Sequence, residues 1–343
     1  MMSLNPYRLS IVVVCKNESR NIARCLTSVV SASRLVDGGV EVIVADSAST
    51  DRTVEIALGF PVRVVHLEAS WPLSPAAGRF HGALAARGDY VLFIDGDMAL
   101  DAGFLPAALR RLDSDETLAG VTGIERQVFL EDGATVGGRE NTYDVPAVEA
   151  PARVLPGAAL FRRAPLVTVG GFDPFLSSEE EADLCYRLTQ AGHALATLPI
   201  PIVDHYSGRR RSFTELRRRV RGRLYRGIGQ VLRRSLDRGL FIQHAWRLRV
   251  FLGFALFLLC GVIALVAWPL AQSPRYLVLW LAALAAIFAL LSARKHSLSE
   301  AALSIAVLAV IAWETGAGFF ASLPPAAVYP REARTTRSDS FGA

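Results

Sequence analysis

Two stretches towards the C-terminal end, Val250 to Ala271 and Tyr276 to Ala293, carry no charged residue. Each approaches the roughly 20 residues a helix needs to cross a bilayer, so both predict transmembrane helices. A third apolar stretch, from about Ala301 to Leu323, contains Glu314 and a Gly316-Ala317-Gly318 break. It can span, re-enter or lie at the interface. Its acid is either a functional group or a protonated or snorkelling side chain near the helix end. With 52% hydrophobic residues over 343 positions, part of the chain is expected in lipid. The first apolar run, Ile11 to Cys15, is stopped by Lys16 and Glu18 and is too short for a signal peptide. The N-terminal part is therefore expected in the cytoplasm. Cys15, Cys25, Cys185 and Cys260 show neither ligand spacing nor pairing and read as small core hydrophobes in a reducing compartment.

The net charge of +5 is unevenly distributed. Fourteen arginines from Arg209 to Arg249 stand against only Glu215 and Asp237, a local +12 that leaves −7 elsewhere. A basic block beside a membrane helix marks the cytoplasmic side and suits anionic headgroups. Nucleic-acid binding is the competing reading, and the neighbouring membrane helix argues against it. Phe213, Leu216, Val220, Leu224, Ile228, Val231 and Leu232 recur at helical intervals over Phe213 to Arg234, which predicts an amphipathic helix lying on an anionic leaflet. The same arginines could bind an acceptor pyrophosphate.

Ahead of that block the pattern is alternating α/β. Leu9 to Val14 and Val40 to Ala45 read as buried parallel strands, and Asn17 to Ala32 between them as a helix. Thr53 to Leu58 and Ala76 to Ala86 predict further helices, Val62 to His66 and Tyr90 to Ile94 further strands. A helix over Ala102 to Leu112 precedes a stretch to Arg153 without clear pattern, and patterning resumes over Val154 to His205. Open α/β sheets bind ligands beyond the carboxyl ends of their strands. Asp46, Asp95 and Asp97 follow two such strands directly. Alone, Asp95-Gly96-Asp97 would usually be a solvated turn. Set past a buried strand, the two carboxylates suit a hard cation that neutralises a diphosphate.

Further motifs accompany it in order. They are Asn17-Glu18 after the first strand, Asp46-Ser-Ala-Ser-Thr-Asp51-Arg-Thr53, Ala77-Gly-Arg79-Phe-His-Gly82, and Gly170-Gly171-Phe172-Asp173 followed by Glu179-Glu180-Glu181-Ala-Asp183-Leu-Cys-Tyr-Arg187. Over roughly residues 8 to 208 this series resembles the family 2 glycosyltransferases. The resemblance implies a GT-A (Rossmann-like) nucleotide-sugar domain, followed here by a C-terminal transmembrane region. It implies that Asn17, Glu18, Asp46, Arg79 and Asp95 face the nucleotide sugar, Asp46 at the base. Asp97, with Asp95 and His205, would hold Mg²⁺ or Mn²⁺. Gly171, Asp173 and Asp183 would lie on the acceptor side, Asp183 anchoring the following helix and Arg187. Glu181 stands at the general-base position with Glu180 as rival, and crowding by neighbouring acids is expected to raise its pKa. The bland alternative is an acidic helix start favoured by the helix dipole.

Three positions depart from the family pattern: Phe80 for Asn, Ala48 for Gly and Glu181 for Asp. The Gln-x-x-Arg-Trp signature of processive synthases is not evident, which favours single addition. The expected organisation is a transferase domain over 1–208, a basic interfacial segment over 209–247, two or three transmembrane helices over 248–323 and a disordered tail over 324–343. The expected reaction is inverting transfer from a UDP- or GDP-sugar to a hydroxyl of a lipid-linked or envelope acceptor, at the bacterial inner membrane. A nucleotidylyltransferase would carry a Gly-rich basic loop near the N-terminus in place of Asn17-Glu18. An inactive membrane scaffold would be expected to have lost one of the carboxylates.

Overall fold

The computed structural model describes residues 6–131, 134–139, 148–208 and 213–337. The chain divides into two compact units, one of residues up to Ser212 together with Leu323 onward, the other from Phe213 to Ser322.

The first unit is built on one mixed sheet. Strands β1 (Leu9–Cys15), β2 (Val40–Asp46), β3 (Arg63–His66) and β4 (Tyr90–Asp95) run parallel in the order β3-β2-β1-β4. Every residue of β1 is buried, with Leu9, Ile11, Val13 and Cys15 in one core and Val12 and Val14 in the other. Burial on both faces is why these strands read as near-continuous apolar runs. Helices α1 (Ile22–Ser33), α2 (Thr53–Ala57) and α3 (Pro75–Ala85) connect them. Helix α1 starts at Ile22 rather than Asn17. Asn17 has φ +57°, outside the helical region, and its polar groups bond Ser49 and Thr50.

Beyond β4 lie β5 (Met98–Leu100), α4 (Phe104–Asp113), β6 (Leu118–Glu131), β7 (Ala134–Arg139), β8 (Ala150–Pro151) and β9 (Ala159–Arg162). Helices α5 (Arg163–Thr168) and α6 (Glu180–Gln190) and strand β10 (Ala194–Gly208) follow. The sheet continues β4-β9-β6-β10-β5, with β9 antiparallel to β4 and β6 and with β6 parallel to β10. Where the sequence showed no clear pattern, the structure therefore holds its longest strands but one, β6, with β7 beside it.

The tail corrects the expectation of disorder as far as it is described. Tyr329 is 2% exposed among Trp71, Phe80, His81 and Phe175, and its hydroxyl donates to the Pro72 carbonyl at 2.7 Å. Strand β11 (Arg334–Arg337) then pairs antiparallel with β3. Burying one aromatic ring contributes about 1.5–3 kcal/mol, enough to hold such a segment down. Residues 338–343 of the expected tail lie outside the described residues.

The second unit is helical: α7 (Phe213–Arg221), α8 (Arg226–Arg238), α9 (Phe241–Arg247), α10 (Arg249–Ala271), α11 (Arg275–Lys295) and α12 (Leu298–Phe320). The single basic helix expected over Phe213 to Arg234 is broken between α7 and α8, where Arg223 takes φ +56°. Helices α10, α11 and α12 are each long and apolar enough to cross a membrane. Helix α12 packs along α8, and Glu314 pairs with Arg226 at 2.7 Å.

Candidate functional site

The site lies at the carboxyl ends of the parallel strands. In the sheet register Cys15 sits beside Asp46 on one side, and Val14 beside Asp95 on the other. The loop after β1 and the loop after β2 are laced together by short polar bonds. Asn17 N–H donates to Ser49 Oγ at 2.8 Å, Thr50 N–H to Asn17 Oδ1 at 2.8 Å, Glu18 N–H to Thr53 Oγ1 at 2.7 Å and Ser19 N–H to Asp51 Oδ2 at 3.1 Å. Asp46 is 3% exposed and accepts from Ser49 N–H at 3.1 Å. Ala48, where the family has Gly, takes φ +57°, so the departure noted in sequence carries backbone strain.

Helix α3 is capped by Ser74, whose Oγ accepts from Ala77 N–H at 3.1 Å, and presents Arg79. The guanidinium is buried and bridges three acids: Asp95 at 2.9 Å, Glu180 at 2.9 Å and Glu181 at 3.4 Å. Burial would lower its pKa, but the charges of Asp95, Glu181 and Glu180 overcome that and hold it above its ordinary value. The two glutamates are not equivalent. Glu180 points inward and is 3% exposed, whereas the side chain of Glu181 keeps 26% of its exposure. Burial, reinforced by the Glu181 charge, pushes the Glu180 carboxyl well up, with Arg79 opposing it. The crowding anticipated for Glu181 thus raises Glu180. Glu179, just ahead of α6, is left-handed at φ +64°, which turns the helix start.

Asp97 and His205 form a second cluster near Asp95. His205 Nε2 is 3.2 Å from Asp97 Oδ2, and its Nδ1 is 2.7 Å from Glu125 Oε1. Against its burial, hydrogen bonds to Asp97 and Glu125 push His205 up to about 10. Asp97 Oδ1 is buried with no hydrogen-bond partner. Such an orphaned carboxylate oxygen fits a cation ligand. Among the described residues no three His, Cys, Asp or Glu groups form a complete cation cage. A cation here would draw its remaining ligands from phosphate and water, as Mg²⁺ commonly does. Glu18 faces the same space. Burial raises its pKa, Asn21 lowers it by donating at 2.8 Å, and the charges of Asp97 and Asp95 raise it further.

Gly171 and Asp183 belong to a support behind the site. Arg187 pairs with buried Asp183 at 2.8 Å and donates to the carbonyls of Val169 and Gly171, each at 2.6 Å. Asp173 is buried and accepts from Phe175 N–H at 3.2 Å. Two further residues had escaped the sequence reading. Glu125 holds His205 from β6. Gly157 approaches so closely that a Cβ there would lie 2.7 Å from the Arg79 guanidinium and 3.3 Å from Asp95 Oδ2. A Pro-Gly-Ala-Ala run carries no chemical signal of its own. The buried acid in Ile124-Glu125-Arg126-Gln127 was the one cue available.

Residues 10–163 match the model of Glycosyl transferase family 2. The pre-mycofactocin glycosyltransferase of Mycobacterium tuberculosis is 30% identical over 211 residues, 57% of this chain and 42% of that protein. The chain thus spans less than half the length of this relative. The glycosyltransferase AglE of Haloferax volcanii is 27% identical over 245 residues, 69% of this chain and 77% of that protein. Among solved structures, the mannosyltransferase PcManGT of Pyrobaculum calidifontis, in complex with GDP-Man and Mn²⁺, aligns with a TM-score of 0.59 at 20% identity, covering 91% of this chain and 86% of that one. At that identity the likeness gives the fold alone, a mixed α/β, Rossmann-like GT-A domain.

Proposed function

We propose that this chain, whose residues 10–163 match the model of Glycosyl transferase family 2, transfers a sugar from a UDP- or GDP-sugar to a hydroxyl of a lipid-linked or envelope acceptor, with inversion. The observation that carries this reading is the Arg79 bridge. It joins the Asp95-Gly96-Asp97 turn to the Glu180-Glu181 helix start in one cluster, so a diphosphate site and a proton acceptor share a wall.

Asp46 and the laced Asn17–Ser49–Thr50 loops form the base and ribose end. Asp97, with Asp95 and His205 beside it, would hold Mg²⁺ or Mn²⁺, and the orphaned Asp97 Oδ1 supports that assignment. Bound there, the cation would neutralise charge on the departing nucleoside diphosphate. Glu181, the more exposed of the two glutamates, takes the proton from the acceptor hydroxyl as that oxygen attacks the anomeric carbon. Glu180 is occupied by Arg79 and serves as its buried counter-ion. The long apolar helices support membrane attachment, and the proposed location is the bacterial inner membrane, with the transferase domain cytoplasmic. The arginine-rich α7 and α8 would favour a leaflet with anionic lipids.

The test is a donor panel offered to the purified full chain with membrane lipid extract as acceptor, scored for nucleoside diphosphate release. The proposal expects release with one class of donor that needs both divalent cation and lipid. Release that is indifferent to donor, cation and lipid alike would remove it.

A further inference from the structure

The helical unit is enclosed in sequence by the transferase unit. The chain leaves the sheet after β10 and returns to it, with Tyr329 buried in the same core and β11 paired to β3 in the register Arg334↔His66 and Thr335↔Val65. From Ala321 to Ala333 the backbone contains Pro324, Pro325 and Pro330 and only one short 3-10 turn, Ala326–Val328. Backbone of that kind leaves polar groups unsatisfied and does not cross hydrocarbon. The end of α12 is therefore on the side of the bilayer that holds the sheet. So is the beginning of α10, because α7 and α8 carry four arginines each and α9, seven residues ending in Arg247, is too short to cross. A segment that starts and ends on one side crosses an even number of times, yet three helices have the length to cross.

Charge and shape identify the helix that does not. The turn between α11 and α12 carries Arg294, Lys295 and His296, whereas the turn between α10 and α11 carries only Arg275. The positive-inside rule places the first of these with the transferase. In α12, Ser299, Glu300, Ser304, Glu314 and Thr315 fall within one sector of about 160° at about 100° per residue. Within that sector Glu314 meets Arg226, and Gly318 and Gly229 let the two helix backbones touch. A Cβ on Gly318 would lie 2.1 Å from the Arg226 carbonyl oxygen, and one on Gly229 would lie 1.9 Å from that of Thr315. The opposite side of α12 exposes Trp313 and Phe320, at 76% and 86%. Helix α8, covering the polar sector, keeps Arg233 and Asp237 exposed. Ala302, Ile305 and Ala306 at the start of α12 face Leu281, Leu284 and Phe288 of α11, but towards its end the helix has its polar side under a basic helix and Trp313 and Phe320 bare, the anatomy of an interfacial element.

We infer that the helical unit is a loop inserted in the transferase domain that crosses the bilayer twice, through the α10–α11 hairpin, while α12 with α8 over it lies against the headgroup and acyl boundary of the transferase-side leaflet. The partner of the exposed α12 face is the acyl layer of that leaflet. This goes beyond the proposed reaction and does not depend on it.

The experiment uses the full chain in cells with Cys260→Ala as background. Ser273→Cys and Ser297→Cys are each probed with a membrane-impermeant maleimide before and after permeabilisation, and a reporter is fused after Ala343. Labelling of Ser273→Cys in intact cells, with Ser297→Cys labelled only after permeabilisation and the reporter inside, is the expected result. Labelling of Ser297→Cys from outside, or an outside reporter, overturns it. A His66→Cys/Arg334→Cys pair, facing across β3 and β11, should form a disulfide when a membrane-permeant thiol oxidant such as diamide is added to the same cells, the oxidant taking the two electrons. If reporter fusion disturbs folding, that cross-link still tests the tail's return, and its failure in protein that labels normally at Ser273→Cys also overturns the inference. None of these readouts requires sugar transfer.

Discussion

Arg79 and Glu180 form a buried ion pair at 2.9 Å, with the arginine 2% and the glutamate 3% exposed. Each would be costly to leave alone, and the pair is what fixes the guanidinium while its second nitrogen reaches Asp95. Removing one partner of a buried pair typically costs about 3–5 kcal/mol. Arg79→Ala is therefore expected to lower thermal stability sharply as well as activity. Arg79→Lys keeps a charge but cannot fork between Glu180 and Asp95. It should fold better than Arg79→Ala and still lose activity, which thermal melts and donor turnover measured on the same preparations will show.

Gly157 makes a sharper test of the same geometry. A methyl group at this position must push the Arg79 guanidinium away, because it would sit 2.7 Å from it. A displacement of about 1 Å near reacting groups can cost about 10²-fold in rate. Gly157→Ala should reduce kcat by about that factor, with much less loss of stability than Arg79→Ala. Steady-state kinetics beside a melting curve checks both halves.

The histidine predicts a pH effect in cation-free protein. His205 shifts from an ordinary 6.5 to about 10 in the folded state, where Asp97 and Glu125 both bond its ring. The folded form then binds more protons than the unfolded one between those values. The stabilisation is fully present below about 6.5 and is lost as pH rises through about 10. Melting temperature measured across that window should fall, and the fall should be smaller in His205→Gln.

Ala48 holds a left-handed backbone at φ +57° in the loop after β2. Glycine relieves that strain, worth about 1 kcal/mol. Ala48→Gly should raise the melting temperature by about 2–4 °C. No change in the melting curve would mean the turn is not under this strain.

The parts of the fold legible in sequence were those where local pattern and burial agree. Strands β1, β2 and β4 are apolar runs interrupted only by buried Ser10 and Glu41 because both faces are covered, and the carboxylates after β1 and at the ends of β2 and β4 stand out against them. Strand β6 was illegible for the opposite reason. Gly120 and Gly123 interrupt it, and it turns the polar side chains of Thr122, Glu125 and Gln127 into the interior, where Glu125 serves His205. A strand that supplies polar groups to a site violates the pattern used to recognise strands. The return of the tail was hidden because Tyr329 is held by Trp71, Phe80, His81 and Phe175, contacts far away in the chain. The break between α7 and α8 rests on a single left-handed arginine, Arg223, in an otherwise helical pattern. Motif order placed Glu180 and Glu181 side by side, and only burial separated them.

That separation is the centre of the proposed mechanism, and parallel kinetics of Glu181→Gln and Glu180→Gln with the preferred donor tests it most directly. The account predicts that Glu181→Gln folds, binds the nucleotide sugar as wild type does and loses about 10²–10⁴-fold in kcat, while Glu180→Gln shows its main loss in stability. Wild-type turnover by Glu181→Gln would contradict it.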